Sequence, residues 1–304
     1  METLLNELNV PFQRQVPLGP LTWYGVGGAA KVLARPSSVQ QLSALAARCR
    51  EHGIAIYVLG SGANLLVDDA GVDGVVIQFS DPAFAQCRIE GNLVTVGAGY
   101  NLPRLVIDTA RAGLAGLDAL AGIPATVGGA IRMNAGGTYG DIGSCVRRVQ
   151  VMDATGQVYY RDRDDLIFGY RRSNIVAKFI LEAELELEPE EPEELRHRVK
   201  KVFFVKKNSQ PLSSRSAGCA FKNLAELPDG VDPATPTAAG QLIDLAGLKG
   251  HCIGGAQVSD RHANFIVAHE GCTATDILQL LEHIEHTVHD RFGVHLEREV
   301  VVWP

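Results

Sequence analysis

Long apolar runs, paired cysteines and an excess of basic charge are all missing from this 304-residue chain, and each absence closes a class of function. No stretch approaches the ~18 consecutive apolar residues that a membrane span requires. The six cysteines (Cys49, Cys87, Cys145, Cys219, Cys252 and Cys272) are scattered, with no CxxC pair. That distribution argues against a disulfide framework and against a zinc site, and most are expected to be small buried apolar residues. A net charge of −7, with no basic cluster interleaved with aromatics, argues against nucleic-acid binding. The N-terminus METLLNELNVPFQRQ lacks the basic-then-apolar order of a secretory signal, so a cytoplasmic location is expected. His283, His286 and His289 recur at three-residue steps that drift around a helix, with Glu282 and Glu285 among them. They read as a solvated face, and no metal is expected there.

What is present is ordinary globular composition, 46% hydrophobic and 21% charged, in a chain long enough for two or three domains. Thr22–Pro36 carries Gly25, Gly27 and Gly28, similar to a dinucleotide fingerprint. That motif should follow a strand and open a helix, whereas here a strand, Ala30–Ala34, comes after it. A helix is expected over Ser38–His52, capped by Ser37 or Ser38 and closed by Gly53. Strands are expected at Ile54–Leu59, Gly74–Phe79, Arg88–Ile89, Leu93–Val96, twice within Arg147–Tyr160, and at Phe179–Leu187. A helix opens near Gly97–Leu105 and runs through Ala112. The EPEEPEE run, Glu188–Glu194, reads as a linker beside a domain boundary. Beyond it come a basic helix (Leu195–Lys207), an amphipathic helix (Asp276–Phe292) and a closing strand (Val294–Val302).

Four stretches carry chemistry-bearing residues. GIPATVGGAIRMNAGG (Gly122–Gly137) has five glycines in sixteen residues. A loop that loses so much entropy on ordering must need its backbone close and bare, against phosphates or the face of a planar cofactor. It is read as one wall of a flavin site. GSGANLLV (Gly60–Val67) follows a strand and is either a pyrophosphate cradle or a tight glycine turn. Tyr170–Ser173, YRRS, is either an anion clamp or a solvated basic turn. SAGCAFKN (Ser216–Asn223) is a second glycine turn bearing a thiol.

In order, GSGANLLV, GIPATVGGAIRMNAGG, YRRS, SAGCAFKN, AGLKG…GGAQVSDRHANFIV and LEREV resemble the UDP-N-acetylenolpyruvoylglucosamine reductase (UDP-N-acetylmuramate dehydrogenase) family over about Thr22–Val302. The short separation of YRRS from SAGCAFKN resembles the subtype without an extra tyrosine loop. The resemblance implies an α+β fold with the FAD-binding architecture of vanillyl-alcohol-oxidase-type flavoproteins. It implies an FAD-binding region over residues 1–190, in two subdomains of about 1–80 and 81–190. A substrate-binding domain over 191–304 would follow, with the last strand, about 294–302, returning to the FAD-binding region.

The same resemblance implies FAD, NADPH as co-substrate and a UDP-sugar substrate. The flavin motifs hold no histidine or cysteine, so non-covalent FAD is expected. The charge and hydropathy leave no nucleic-acid or membrane partner, with the oligomeric state open and a monomer slightly preferred. Cofactor contacts fall to Gly60, Ser61, Gly62, Ala63, Asn64 and Leu65, and to Gly122, Ile123, Pro124, Thr126, Val127, Gly128, Gly129, Ala130 and Asn134. Arg171 and Glu299 match the positions that manage the charge developing on the substrate, and a glutamate there is expected to have a raised pKa. Cys219 stands where most relatives carry the serine that donates a proton. It is either that donor, as a stronger acid than an alcohol, or a small residue filling a turn. Tyr170, Lys207, Asn223 and His262 match substrate-contacting positions. Ala125, where glycine is commoner, and Arg132 depart from the family pattern in loop packing. Alternatives are an oxidase on the same fold, which has no reason to carry YRRS, the thiol turn and LEREV in this order, and a flavin redox sensor that switches through Cys219.

Overall fold

The computed structural model describes residues 2–304, which divide into two compact units. The first comprises the chain through Val16, Ala30–Ser61 and Asp73–Val205; the second comprises Pro17–Ala29, Gly62–Val72 and Lys206–Pro304. Among the described residues, no helix is long and apolar enough to cross a membrane.

The first unit is built on two sheets. One has four strands in the order Phe12–Pro17, Ala29–Ala34, Val72–Gln78, Ile56–Leu59, the last two parallel. Helix Val39–Glu51, which lies between Ala29–Ala34 and Ile56–Leu59 in sequence, packs on this sheet. Ser38 accepts from the Gln41 N–H at its start, and Leu42, Leu45, Ala46 and Cys49 bury one stripe against Val32, Val75 and Ile77. The other sheet is antiparallel throughout, ordered Val158–Asp162, Val146–Met152, Phe179–Glu186, Leu93–Gly97, Cys87–Glu90. Helix Leu102–Arg111 starts at Asn101, whose side chain accepts from Arg104 N–H, and covers this sheet with Leu102, Leu105 and Val106.

The stretch read as a linker is built into ordered structure. Glu188–Pro189 pairs antiparallel with Leu114–Ala115, and helix Pro192–Ser209 begins three residues later. Proline suits the first turn, where its missing N–H removes no helical bond, so the helix starts earlier than the basic run suggests.

In the second unit, helix Ala274–Phe292 has a reciprocal capping box between Thr273 and Asp276, and Gly293 closes it at φ 68°. Ile277, Leu280, Leu281, Ile284 and Val288 are fully buried, each contributing roughly 1.5–3 kcal/mol by leaving water. Asp69 accepts from Ala274 N, Thr275 N and Thr275 Oγ1 at 2.8–2.9 Å. Burial opposes its ionisation, but those bonds outweigh it and hold its pKa below the ordinary value. The glycines resembling a dinucleotide fingerprint serve packing in this unit. A Cβ on Gly28 would lie 2.4 Å from both Asp69 O and Gly71 N, so two backbones cross there with no room for side chains. The closing strand is confined to Val301–Trp303 and runs parallel to Leu65–Val67.

Candidate active site

The glycine-rich stretch read as a loop contains a short helix, Val127–Arg132. Its glycines are outweighed by the Thr126 side chain, which accepts from Gly129 N at 3.3 Å, and by burial of Val127, Ala130 and Ile131. Val127 N donates to Tyr100 O, Gly128 N to Ala98 O and Leu102 N to Ala125 O, stitching the stretch to the second sheet. Ser61 Oγ donates to Pro124 O at 2.7 Å, joining the Gly60–Ser61 turn to the Gly122–Pro124 segment.

These segments line a cavity of about 300 Å3 in the first unit, with Val58, Gly60, Gly99, Thr126, Gly129 and Ile180 in its walls. A Cβ on Gly60 would meet only Thr126, with Oγ1 at 2.9 Å, and one on Gly129 only the same oxygen at 3.3 Å. Gly129 therefore presents bare backbone to otherwise open space, while Gly60 is bare because Thr126 leaves no room for a side chain. Arg132 and Lys178 also line the cavity. Burial lowers the pKa of each, and Arg132 adds to the effect on Lys178. The Arg132 guanidinium donates to the carbonyls of Ile175, Ala177 and Lys178. A partly apolar cavity of this size, with bare backbone and two cations in its walls, suits part of an extended anionic cofactor such as FAD.

The rest of the GSGANLL turn belongs to the second unit. Gly62 is at φ 65°, and a Cβ there would lie 2.2 Å from Leu21 O. Asn64 spends its amide on protein: Nδ2 donates to Glu299 O at 3.0 Å, and its own carbonyl accepts from Val301 N. Leu65 is the first residue of the strand paired with Val301; Ala63 lies between these anchors.

Gly218 turns the chain at φ 81° and presents Cys219. Cys219 bridges Phe265, Ala220 N donates to Asn264 O at 2.7 Å, and Glu299 N donates to Ala220 O at 2.8 Å. Cys219 and Glu299 are thereby brought onto adjoining segments, with Ala220 between them. Asn264 fixes this arrangement. It is 3% exposed, and its Oδ1 accepts from Phe221 N at 3.0 Å while Nδ2 donates to Phe221 O at 2.8 Å. Tyr24 and Ser216 bury their hydroxyls in the same unit without a hydrogen-bond partner among the described residues. Burial, with the Cys272 and Cys219 thiols, pushes the Tyr24 phenol far up, so it stays neutral.

The substrate candidates have separate surroundings. His262 accepts from Asn264 N through Nδ1 at 3.2 Å, leaving Nε2 to carry the proton. Burial and the Lys249 charge lower its pKa, so the ring is neutral near pH 7. Asn223 Oδ1 accepts from Ala239 N at 3.0 Å and caps helix Ala239–Leu245. Lys207 is an exposed residue in the last turn of Pro192–Ser209, and Arg261 Nη1 donates to its carbonyl at 3.2 Å. In the first unit, Tyr170 and Arg171 form the turn between Phe168–Gly169 and Arg172–Ser173. Tyr170 is 51% exposed, with the Arg171 guanidinium 5.2 Å from its ring centre. Asn134 is 3% exposed and its amide is engaged by Gly143 N and Gly169 O, so its side chain does not line the cavity. Sequence reasoning quoted HANFIV but gave Asn264 no role; an asparagine inside an otherwise apolar strand approach was the available signal.

Two family models match the chain: an FAD binding domain over residues 30–160 and the UDP-N-acetylenolpyruvoylglucosamine reductase C-terminal domain over 210–303. A UDP-N-acetylenolpyruvoylglucosamine reductase of Moorella thermoacetica is 37% identical, covering 100% of this chain and 98% of its own. That of Bacillus subtilis is 35% identical, covering 99% and 98%. The crystal structure of the enzyme from Thermus caldophilus matches at 37% identity and a TM-score of 0.80, covering 97% of this chain and 99% of its own.

Proposed function

Because the chain belongs to the UDP-N-acetylenolpyruvoylglucosamine reductase family, we propose a division of labour among its residues for the reaction that defines the family. The chain is an FAD-dependent oxidoreductase of α+β fold. It reduces the enolpyruvyl group of UDP-N-acetylglucosamine enolpyruvate to UDP-N-acetylmuramate, in peptidoglycan precursor synthesis. Bound FAD supplies two-electron transfer between NADPH and the enolpyruvyl double bond.

The protein's own work is to hold the reactants and manage charge. The bare backbone at Gly60 and Gly129 admits the cofactor, and Arg132 and Lys178 offset its negative charge. Once a hydride reaches the β-carbon of the substrate, negative charge develops beside the substrate carboxylate. Arg171 is the cation assigned to stabilise it, and a protonated Glu299 to donate a hydrogen bond. The Cys219 thiol donates the proton that the α-carbon requires, and solvent re-protonates the thiolate. A thiol of reference pKa ~8.5 is mostly protonated at neutral pH, so this chemistry survives replacement of the usual serine. Neutral His262 offers Nε2–H to the substrate's diphosphate or sugar, with Lys207, Asn223 and Tyr170 as further contacts. A cytoplasmic location, where such nucleotide reactants are found, with no membrane partner, belongs to the same reading.

The observation that carries this reading is the Glu299 N to Ala220 O bond, which joins the segments of Cys219 and Glu299. The test is anaerobic spectroscopy: flavin bands should bleach with NADPH and return with the enolpyruvyl substrate. Cys219→Ser should retain the return step within about tenfold and Cys219→Ala should slow it about 10²-fold or more, with bleaching unchanged in both. Glu299→Gln should slow the return step and remove a basic limb from its pH profile. Equal return rates for Cys219→Ala and wild type would refute the thiol's role. Bleaching without return in the wild type would move the function to the oxidase or sensor reading.

A further inference from the structure

Arg171 is a non-glycine residue held at φ 54°, a left-handed conformation that costs free energy wherever its surroundings do not impose it. Three side-chain bonds impose it here, all running between its hairpin and the segment 132–136. Asn134 Nδ2 donates to Gly169 O at 3.0 Å on the incoming arm. Ser173 Oγ donates to Arg132 O at 3.0 Å on the outgoing arm. Arg171 Nη1 itself donates to Gly136 O at 2.9 Å. Asn134 is also left-handed, at φ 43°, and its Oδ1 accepts from Gly143 N at 3.0 Å, which fixes which end of the amide faces Gly169. Gly143 carries no side chain because a Cβ there would lie 2.4 Å from the Phe168 ring and 2.7 Å from Asn134 Oδ1. The hairpin, the asparagine and the glycine are thus fitted to one another.

We propose that Asn134 is a positioning residue: it ties the Arg171 hairpin to the segment that leaves helix Val127–Arg132, so that the guanidinium is aimed by the cofactor-binding wall itself. Its buried amide is engaged by Gly169 O and Gly143 N, so in this role it acts through the hairpin. The inference rests on the reading of Arg171 as the charge clamp, and the two can fail separately.

The test compares Asn134→Ala, Asn134→Asp, Ser173→Ala, Arg171→Gln and the Asn134→Ala/Arg171→Gln pair as FAD-loaded enzymes. Asn134→Asp keeps the acceptor for Gly143 N but sets a carboxylate oxygen against Gly169 O, so it should loosen the hairpin at least as much as the alanine variant; Ser173→Ala, which removes only the outgoing tie, serves if both fail to fold. FAD content and the rate of bleaching by NADPH should stay within about twofold of wild type. Return of the flavin bands with the enolpyruvyl substrate should slow about 10²-fold, the scale on which ångström misplacement of a reacting group acts. Amide hydrogen exchange across residues 169–173 should accelerate, and the loss from Asn134→Ala should largely vanish on the Arg171→Gln background. Unchanged exchange at the hairpin, loss of FAD, or a loss that multiplies undiminished with Arg171→Gln would overturn the positioning role. A wild-type return rate in Arg171→Gln would instead overturn the reading of Arg171, while faster exchange in Asn134→Ala would still establish the tether.

Discussion

Replacing Asn264 by alanine should destabilise the protein through two backbone groups that belong to another residue. The amide of Asn264 stands in for a strand neighbour, occupying both Phe221 N–H and Phe221 C=O, at 3.0 and 2.8 Å. Phe221 is 0% exposed, so water does not replace the amide without a rearrangement of the core around it. Each orphaned buried group costs about 1–3 kcal/mol, giving roughly 3 kcal/mol as a central expectation for the pair. For units of this size that corresponds to a fall in Tm of about 6–12 °C. Asn264→Asp keeps Oδ1 as an acceptor for Phe221 N but sets a carboxylate oxygen against Phe221 O, so at neutral pH it should be destabilised at least as much as the alanine variant. The assay is urea and thermal unfolding of the FAD-loaded enzyme at fixed FAD concentration, followed by far-UV circular dichroism. The main-chain bond from Ala220 N to Asn264 O survives the substitution, so the Cys219 turn should loosen through the freed Phe221 backbone, and the return half-reaction should slow more than NADPH bleaching. A loss below about 1 kcal/mol with an unchanged urea slope would refute the reasoning, since it would mean that Phe221 finds other partners.

Gly129→Ala should separate folding from cofactor binding. The added methyl removes glycine's cost in a helix, about 1 kcal/mol, but crowds the capping Thr126 Oγ1 at 3.3 Å, so the two effects offset and apo-protein stability should stay within about 1 kcal/mol. FAD affinity, measured by quenching of flavin fluorescence, should fall about tenfold or more through lost close approach; unchanged affinity would remove Gly129 from the cofactor wall. Burial and Lys249 depress the His262 pKa in the folded state, so the unfolded chain binds its proton first as pH falls. Stability from this group is therefore full above the unfolded value near 6.5 and is lost as pH drops toward the folded value. Burial, His251 and His286 depress His283 in the same direction. Tm should fall between pH 7.5 and 5.5, and His262→Gln should flatten part of that slope; an identical slope in the variant would exclude His262 as a source.

Much of the fold was legible because local chemistry and burial agreed. Ser38, the Leu42–Leu45–Cys49 stripe and Gly53 marked one helix, and it spans Val39–Glu51. Tertiary packing prevailed where they disagreed. Glycines at 128 and 129 read as loop, yet Val127, Ala130 and Ile131 recur at helical spacing and are buried, with Thr126 as the cap. The closing strand was drawn too long because Val294 and Val300 pack into the core of the second unit while residues 298–299 meet residues 220–221 by isolated contacts. His283 and His289 stack on different rings, those of His251 and His295, which no helical spacing could reveal. The site was legible as ordered motifs, whereas the partners of its asparagines were not. Asn64 and Asn134 read as cofactor contacts in sequence and Asn264 carries no assigned role there, yet each spends its amide on main-chain groups of this chain.

The bond from Asn64 to Glu299 spans 235 positions of sequence, and the strand beside it pairs Leu65 with Val301. On a ribosome, the Gly60–Leu65 turn is made long before the residues that hold it in place. At ~5–20 residues per second the interval is roughly 12–47 s, during which the turn must remain without its final shape. The Gly62–Leu65 part of the turn is therefore completed late in the life of the nascent chain, whereas the cavity walled by Val58, Gly60, Thr126 and Ile180 draws only on residues made before position 181.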